Sequence, residues 1–330
     1  MLLSVAAFAC LGISGCSSDD GAGSSGDTKD TRAGDIRADE KWKTGLELTG
    51  TVSIIGAVVE IEAGATIKCA KGVRIQVGGT LRKAPGAKAK IACAEWEGIL
   101  VAQGGKVELE DFEIENAATG IETTDGAGDS FAKKTTITNS LKPFSVGKNS
   151  KLTLEDVKAT TPKQVADNQV SIGHVFGTLV AKKLDYDAGP SEGIQLRDGG
   201  SADIEDSFVH GTGGQDMISS YEGKSLTVAY TKVTGAHCGP HIQGIETFTF
   251  DHLQSESNTY GITIYKAAGA GPFLVKDSNI AGAAAWLDLQ GTEAAVTFQN
   301  VFVTGSEIIK DTTPPNVTKA SGPIAGTGPR

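Results

Sequence analysis

From residue 43 to 311 the chain is a succession of short apolar–polar alternations, each broken by Gly, Asn, Asp or Ser. Apolar positions recur every second residue over four to eight residues, the period of half-buried strands and not of helices. Seven segments align on one another: LEDFEIEN (109–116), LEDVKATT (154–161), IEDSFVHG (204–211), VAYTKVTG (228–235), FDHLQSES (250–257), VKDSNIAG (275–282) and FQNVFVTG (298–305). Each opens on an apolar residue, carries an apolar or small residue five positions later, and closes on a small or turn-forming one. A second apolar stripe recurs between them, in GIQL (193–196), MISS (217–220), HIQG (241–244), GITI (261–264) and WLDL (286–289). The repeat is about 24 residues, a length typical of solenoids.

Strands this short cannot bury an apolar face alone, but stacked coil on coil they enclose a continuous core. The N-terminal stretches VVEIEAGATIKC, GVRIQVGGTLRK and AKIACAEWEGILV fit the same scheme with tighter turns. Ile67, Ile91, Ile114 and Ile137 fall at the repeat spacing and should form one internal ladder. Two positions on, Cys69, Cys93, Asn116 and Asn139 should form a parallel one. Stacked Asn side chains can hydrogen-bond along such a column. Cys69 and Cys93, one coil apart, should lie on adjacent rungs within disulfide range. A sandwich would need antiparallel hairpins, whose Asn-Gly and Asp-Gly loops are scarce here.

The pattern, with the EAGATIK turn (62–68), the VGGTL turn (77–81) and the W-x-G-I of Trp96–Ile99, resembles a right-handed, single-stranded parallel β-helix of the pectate-lyase-like superfamily. The resemblance covers residues 43–311 and implies an all-β solenoid of about 10–11 coils. It leaves function open between lyases, hydrolases, epimerases, esterases and adhesins.

Composition agrees with that fold. Gly occurs 43 times and aromatics make up 6% of the 330 residues, which suits many tight turns and small core side chains. A net charge of −10 argues against a nucleic-acid surface, which needs clustered Lys and Arg. The first sixteen residues, MLLSVAAFACLGISGC, resemble a bacterial lipoprotein signal: an apolar run, then Ile13-Ser14-Gly15 before an acylated Cys16. No Lys or Arg precedes the run, which departs from the usual pattern. Residues 17–42 are expected to be a flexible polar tether, and 312–330, rich in Pro and Gly, a disordered tail. Ser17 after the cysteine resembles outer-membrane lipoproteins, so the expected location is the cell envelope, periplasmic or surface-facing.

The candidate chemistry centres on GAHCGPHIQG (235–244). Taking Ile194, Ile218, Ile242 and Ile262 as inward places Gly193, Met217, His241 and Gly261 in one outward column. Gln195, Ser219, Gln243 and Thr263 form the next, and Arg197, Tyr221, Ile245 and Tyr265 a third, with Asp216, His237, His210 and Asp198 at the margin. Three readings compete. His237, Cys238 and His241, with Asp216, supply zinc-type ligands, but Gly239-Pro240 precludes a helix and no second Cys-x-x-Cys arm exists, so no metal is assigned. His241 or His237 as base, Tyr221 or Tyr265 as acid, Arg197 as carboxylate partner and Asp216 nearby would suit proton abstraction beside a uronate carboxylate. The Asp-rich ligands and catalytic Arg of pectate lyases, and the Asp-Asp and Arg-x-Lys segments of polygalacturonases, have no clear counterpart. The third reading is a polar face for sugar binding, formed by Gln195, Ser219, Gln243, Thr263, His210 and Asp198, or an inert one. Asp125-Gly126-Ala127-Gly128-Asp129 lacks the ligand count for calcium, and no cofactor is expected. Asp111, Asp156, Asp206 and Asp277, which share one repeat position, read as solvated strand edges.

Together these features describe a monomeric, lipid-anchored β-helix whose expected partners are the membrane and a polysaccharide. The alternatives are a polysaccharide lyase, epimerase or hydrolase on coils 193–265, and an adhesin or structural envelope protein. Burying acyl chains contributes about 0.8 kcal/mol per CH₂. Cys16→Ala should therefore move the protein from the membrane to the soluble fraction on cell fractionation. Unchanged membrane partitioning would remove the lipoprotein assignment.

Overall fold

A computed structural model describes residues 30–162, 172–267 and 269–330. The signal segment, Cys16 and tether residues 17–29 lie outside the described residues. The fold is a parallel β-solenoid of about 12 turns, with 21 strands and no helix among the described residues. A representative coil runs through Thr66–Cys69 and Arg74–Lys83 before Ala89–Val101 opens the next.

The isoleucine ladder holds this stack in register. Ile67 pairs with Ile91, Ile91 with Ile114 and Ile114 with Ile137, all fully buried. The column continues through Ala159, Tyr186, Val209, Val233 and Ser255 to Ile280. A one-residue slip would turn every apolar side chain out of the core, so the alternation itself fixes the register. The neighbouring ladder also forms. Cys69 and Cys93 pair in register with Cα atoms 5.2 Å apart and are joined by a disulfide. Above them Asn116 Nδ2 donates to the Cys93 carbonyl (2.8 Å), and Asn139 Nδ2 donates to Asn116 Oδ1 (2.7 Å). The Trp96–Ile99 motif has local causes. Trp96 is buried and donates its indole N–H to the Glu115 carbonyl (2.8 Å), while Gly98 takes φ 106°, where a Cβ would run into the Thr119 carbonyl.

The recurring aspartates are left-handed corners rather than strand edges. Asp111, Asp156, Asp206 and Asp277 have φ of 51°, 55°, 51° and 47°. Asp and Asn tolerate this region better than most residues because their short polar side chains bond locally. Lys134, Lys183, Tyr230, His252 and Asn300 take the same conformation on the intervening and following coils. Asp111, Lys134, Asp156, Lys183 and Asp206 thus alternate in sign along one corner. The flanking ladder Glu110, Lys133, Glu155, Lys182 and Glu205 alternates too, with Lys133–Glu155 and Lys182–Glu205 contacts of 3.0 Å each. Each exposed pair contributes under about 1 kcal/mol, but alternation removes the like-charge stacking that a uniform column would impose.

Both ends extend past their expected limits, which accounts for the additional turns. Thr31–Ile36 and Glu40–Trp42 pair in parallel with Glu47–Ile61, within the stretch expected to be a tether. Ile36 and Trp42 are buried there, two apolar anchors among charged neighbours. Asn316–Lys319 pairs with the last long strand, so residues 312–330 are not a free tail. Asn279 Nδ2 donates to the Ile324 carbonyl (2.9 Å), and the Arg330 guanidinium bonds Asp206 (2.8 Å) while lying 3.7 Å from the Tyr230 ring centroid. Composition missed this because polar contacts to the coil corners, not apolar burial, hold the segment.

The corner conformation is open to test. Asp156 is exposed, so Asp156→Val should lower stability by about 1–2 kcal/mol through the left-handed φ alone. Asp156→Asn should leave the urea midpoint unchanged. Equal midpoints for Val and Asn would mean that the corner relaxes at no cost.

Candidate functional site

The site lies where the coil length changes. His210 pairs with Thr234, but Gly214 pairs with Ala236, so the turn Gly211-Thr212-Gly213 shortens the offset between these coils from 24 residues to 22. Downstream, Ile218 pairs with Pro240 and Ser220 with Ile242, not Ile218 with Ile242. The expected outward columns are therefore shifted by two residues at His241. The observed column is Ser145, His174, Gln195, Ser219, His241, Thr263 and Asp288. Met217, expected outside, is fully buried. The adjacent row is Arg197, Tyr221, Gln243 and Lys266, in which Gln243 and Lys266 replace Ile245 and Tyr265.

Beside this column, on the rung shared with Cys238, Asp216 collects three neighbours. His241 Nδ1 donates to Asp216 Oδ2 (2.9 Å), and the Tyr221 hydroxyl donates to the same oxygen (3.3 Å). Cys238 pairs in register with Asp216, its Sγ within 4.8 Å of the carboxylate, and Thr263 Oγ1 donates to that Sγ (3.3 Å). Residues three apart face opposite sides of a regular strand, yet Cys238 and His241 share this cluster. The chain must therefore bend through Gly239-Pro240. His241 is enclosed edge-on by Tyr221 and Tyr265, with centroids 5.9 and 5.2 Å away. Tyr265 in turn donates to Asp288 (2.8 Å), which also accepts from Gln290 Nε2 (2.8 Å).

Burial governs the ionisation of the network. It pushes the Cys238 thiol up to about 12, aided by the Asp216 charge, so the thiol is not an activated nucleophile. Burial and then Asp216 push Tyr221 up to about 12, and burial with Asp288 moves Tyr265 higher still. Glu192, bonded to Gln195 Nε2 (3.0 Å), is raised by burial and by Asp216. Two polar atoms in this region are buried without a partner: His241 Nε2 and Ser219 Oγ.

Of the predicted residues, the structure brings together Asp216, His241, Tyr221 and Tyr265, with Arg197 beside Tyr221 at 4.6 Å from its ring centroid. His237 is apart: it is exposed and packs edge-on against Tyr260. His210 also lies elsewhere, stacked on Phe208 and bonded to Asp185 (3.2 Å). Asp198 is an exposed left-handed corner 3.6 Å from Lys148. Gln195, Ser219 and Thr263, expected as a contact face, are at most 2% exposed. Gln195 is covered because Arg197 Nε donates to its Oε1 (2.6 Å) while Glu192 takes its amide. Gln243 alone of that set stands in the exposed row. Asp125 accepts the Lys148 backbone N–H (2.8 Å), the role of a turn cap. Sequence reasoning missed His174, Glu192 and Asp288. Asp288 lay within the WLDL stripe and could have been found there; His174, only 21 residues before Gln195, falls off the repeat period. No known family matches the chain, and no curated protein or solved structure matches it either.

Burial, with the Lys142 and Arg197 charges, pushes His174 down to about 4. Its folded value lies below the unfolded one of about 6.5, so the unfolded chain takes up the proton first as pH falls. This group therefore subtracts stability progressively from pH 6.5 down to about 4 and contributes nothing above that window. His174→Gln should flatten the acid-side fall in stability over that range, and NMR should place the ring's midpoint near 4. A midpoint near 6.5 would put the imidazole in solvent.

Proposed function

We propose that this β-solenoid binds an acidic polysaccharide along the Arg197–Tyr221–Gln243–Lys266 row, in a protein anchored to a bacterial envelope through Cys16. The observation that carries the reading is the cleft built on this row, a concavity of about 350 Å³ edged by Asp198 and Glu222. Its rungs present a guanidinium over an aromatic ring, an amide and an ammonium at intervals of about 4.8 Å. Guanidinium and ammonium groups suit uronate carboxylates, and the tyrosine offers an apolar surface to a sugar ring. A periodic row spanning about 14 Å fits a polymer better than a small molecule. The net charge of −10 opposes a polyanion at long range, but salt screens that beyond about 8 Å and leaves the local cations dominant. The resemblance to the pectate-lyase-like superfamily supports a carbohydrate ligand, and the Ile13–Cys16 sequence supports the anchor.

The buried His241 favours binding over turnover, since its imidazole is closed in by two tyrosines. Binding should be followed by calorimetry against acidic and neutral polysaccharides, with release of unsaturated ends monitored in parallel. Tyr221→Ala with Lys266→Ala should weaken binding on the order of 10–100-fold, from roughly 0.7–1.4 kcal/mol per lost contact. An unchanged affinity would move the site off this row, and unsaturated ends would replace binding by lyase activity.

A further inference from the structure

We propose that Asp216, Cys238 and His241 form a zinc site that joins two adjacent coils at the register shift. One carboxylate, one thiol and one imidazole present ligand atoms that all lie within 4.8 Å of one another. Zn²⁺ with these ligands at about 2.0–2.3 Å has ligand–ligand edges of roughly 3.3–3.8 Å, so closure needs side-chain movement of about 1 Å. The ligand types suit zinc: mixed oxygen, nitrogen and sulfur donors at tetrahedral spacing are characteristic of it, and the thiolate disfavours calcium and magnesium.

An independent observation points to a missing ligand. Ser219 is 1% exposed and its hydroxyl has no hydrogen-bond partner. Ser219 pairs in register with His241, so its Oγ faces the same side of the sheet and can bond a water in the fourth position. A buried hydroxyl left unpaired costs about 1–3 kcal/mol, and the zinc-bound water would satisfy it, with His241 Nδ1, the nitrogen already 2.9 Å from Asp216 Oδ2, as the imidazole ligand atom. The outer contacts are already in place: Tyr221 donates to Asp216 and Thr263 to Cys238. Such contacts orient metal ligands and tune affinity.

The position gives the ion a structural role. Asp216 and Cys238 face each other across the rungs Phe208–Ala229 and Lys232–Asp251, just past the turn where the offset changes. With Asp216 and Cys238 at most 5% exposed, the site is closed to a polymer. This inference is independent of the glycan row.

The test uses the full chain without a polyhistidine tag, stripped with chelator and titrated with Zn²⁺ and with Co²⁺ as a spectroscopic probe. Expected are one ion per chain, tetrahedral Co²⁺ bands with a thiolate charge-transfer band, and a rise in Tm on adding Zn²⁺. Cys238→Ala, a small buried replacement, should fold, lose the charge-transfer band and lose the zinc-induced rise in Tm. Tyr221→Phe should weaken zinc about 10-fold, the low end for loss of an outer contact. Arg197→Ala with Lys266→Ala should leave zinc affinity unchanged. The alternative cluster, Asp251, His252 and Asp277, is the control. Binding that survives Cys238→Ala but is lost in His252→Ala would overturn the assignment, as would Co²⁺ binding without a thiolate band.

Discussion

The constraint on which everything else depends is in-register parallel stacking. Each coil satisfies the backbone groups of the coil below, and a side chain meets its own positional equivalent at about 4.8 Å on either side. Identity at a position is therefore a contact with itself. This makes Ile67 to Ile137 a core, Asn116 over Asn139 a hydrogen-bonded column, and Cys69 over Cys93 a disulfide. The same rule penalises stacked like charges, and the alternation of acidic residues with lysines from Glu110 to Glu205 follows from it.

Where the coil length was constant, the sequence was legible in detail. The isoleucine and asparagine ladders needed only spacing and alternation, because a residue's face and its stacking partner both follow from them. The recurring aspartates were visible as a repeat but not as left-handed corners. The same backbone position also accepts Lys134, Tyr230 and His252, which carry no conformational signature in sequence. Local chemistry identifies the turn former only where Asp or Asn fills the corner.

The candidate site was legible in its members and not in its arrangement. Asp216, Tyr221, His241 and Tyr265 were all picked out, but a constant period placed His241 beside Met217 and Gly261. The insertion at Gly211–Gly213 moves the imidazole two positions, to Ser219 and Thr263, and that shift is what brings it to Asp216. A two-residue change in a glycine-rich turn leaves the alternation intact, so hydrophobic pattern alone cannot detect it. The chain ends were misjudged for a different reason. Ile36 and Trp42 are single anchors in charged surroundings, and the segment ending at Arg330 is held by polar contacts that composition does not weigh.

The register shift also explains why the polar cluster sits where it does. A constant offset would have set Pro240 opposite Asp216 and Gln243 opposite Ser219. Offsetting one coil by two residues instead sets a carboxylate against a thiol and a hydroxyl against an imidazole: Asp216 faces Cys238, and Ser219 faces His241. A repeat tuned for self-contact cannot build a site of mixed chemistry, because each rung would only duplicate the last. Breaking the repeat over one turn while keeping the apolar core continuous supplies that diversity on rigid strands. Ile194, Ile218, Ile242 and Ile264 all remain buried across the break, so the core absorbs the offset and the chemistry accumulates on the outer face.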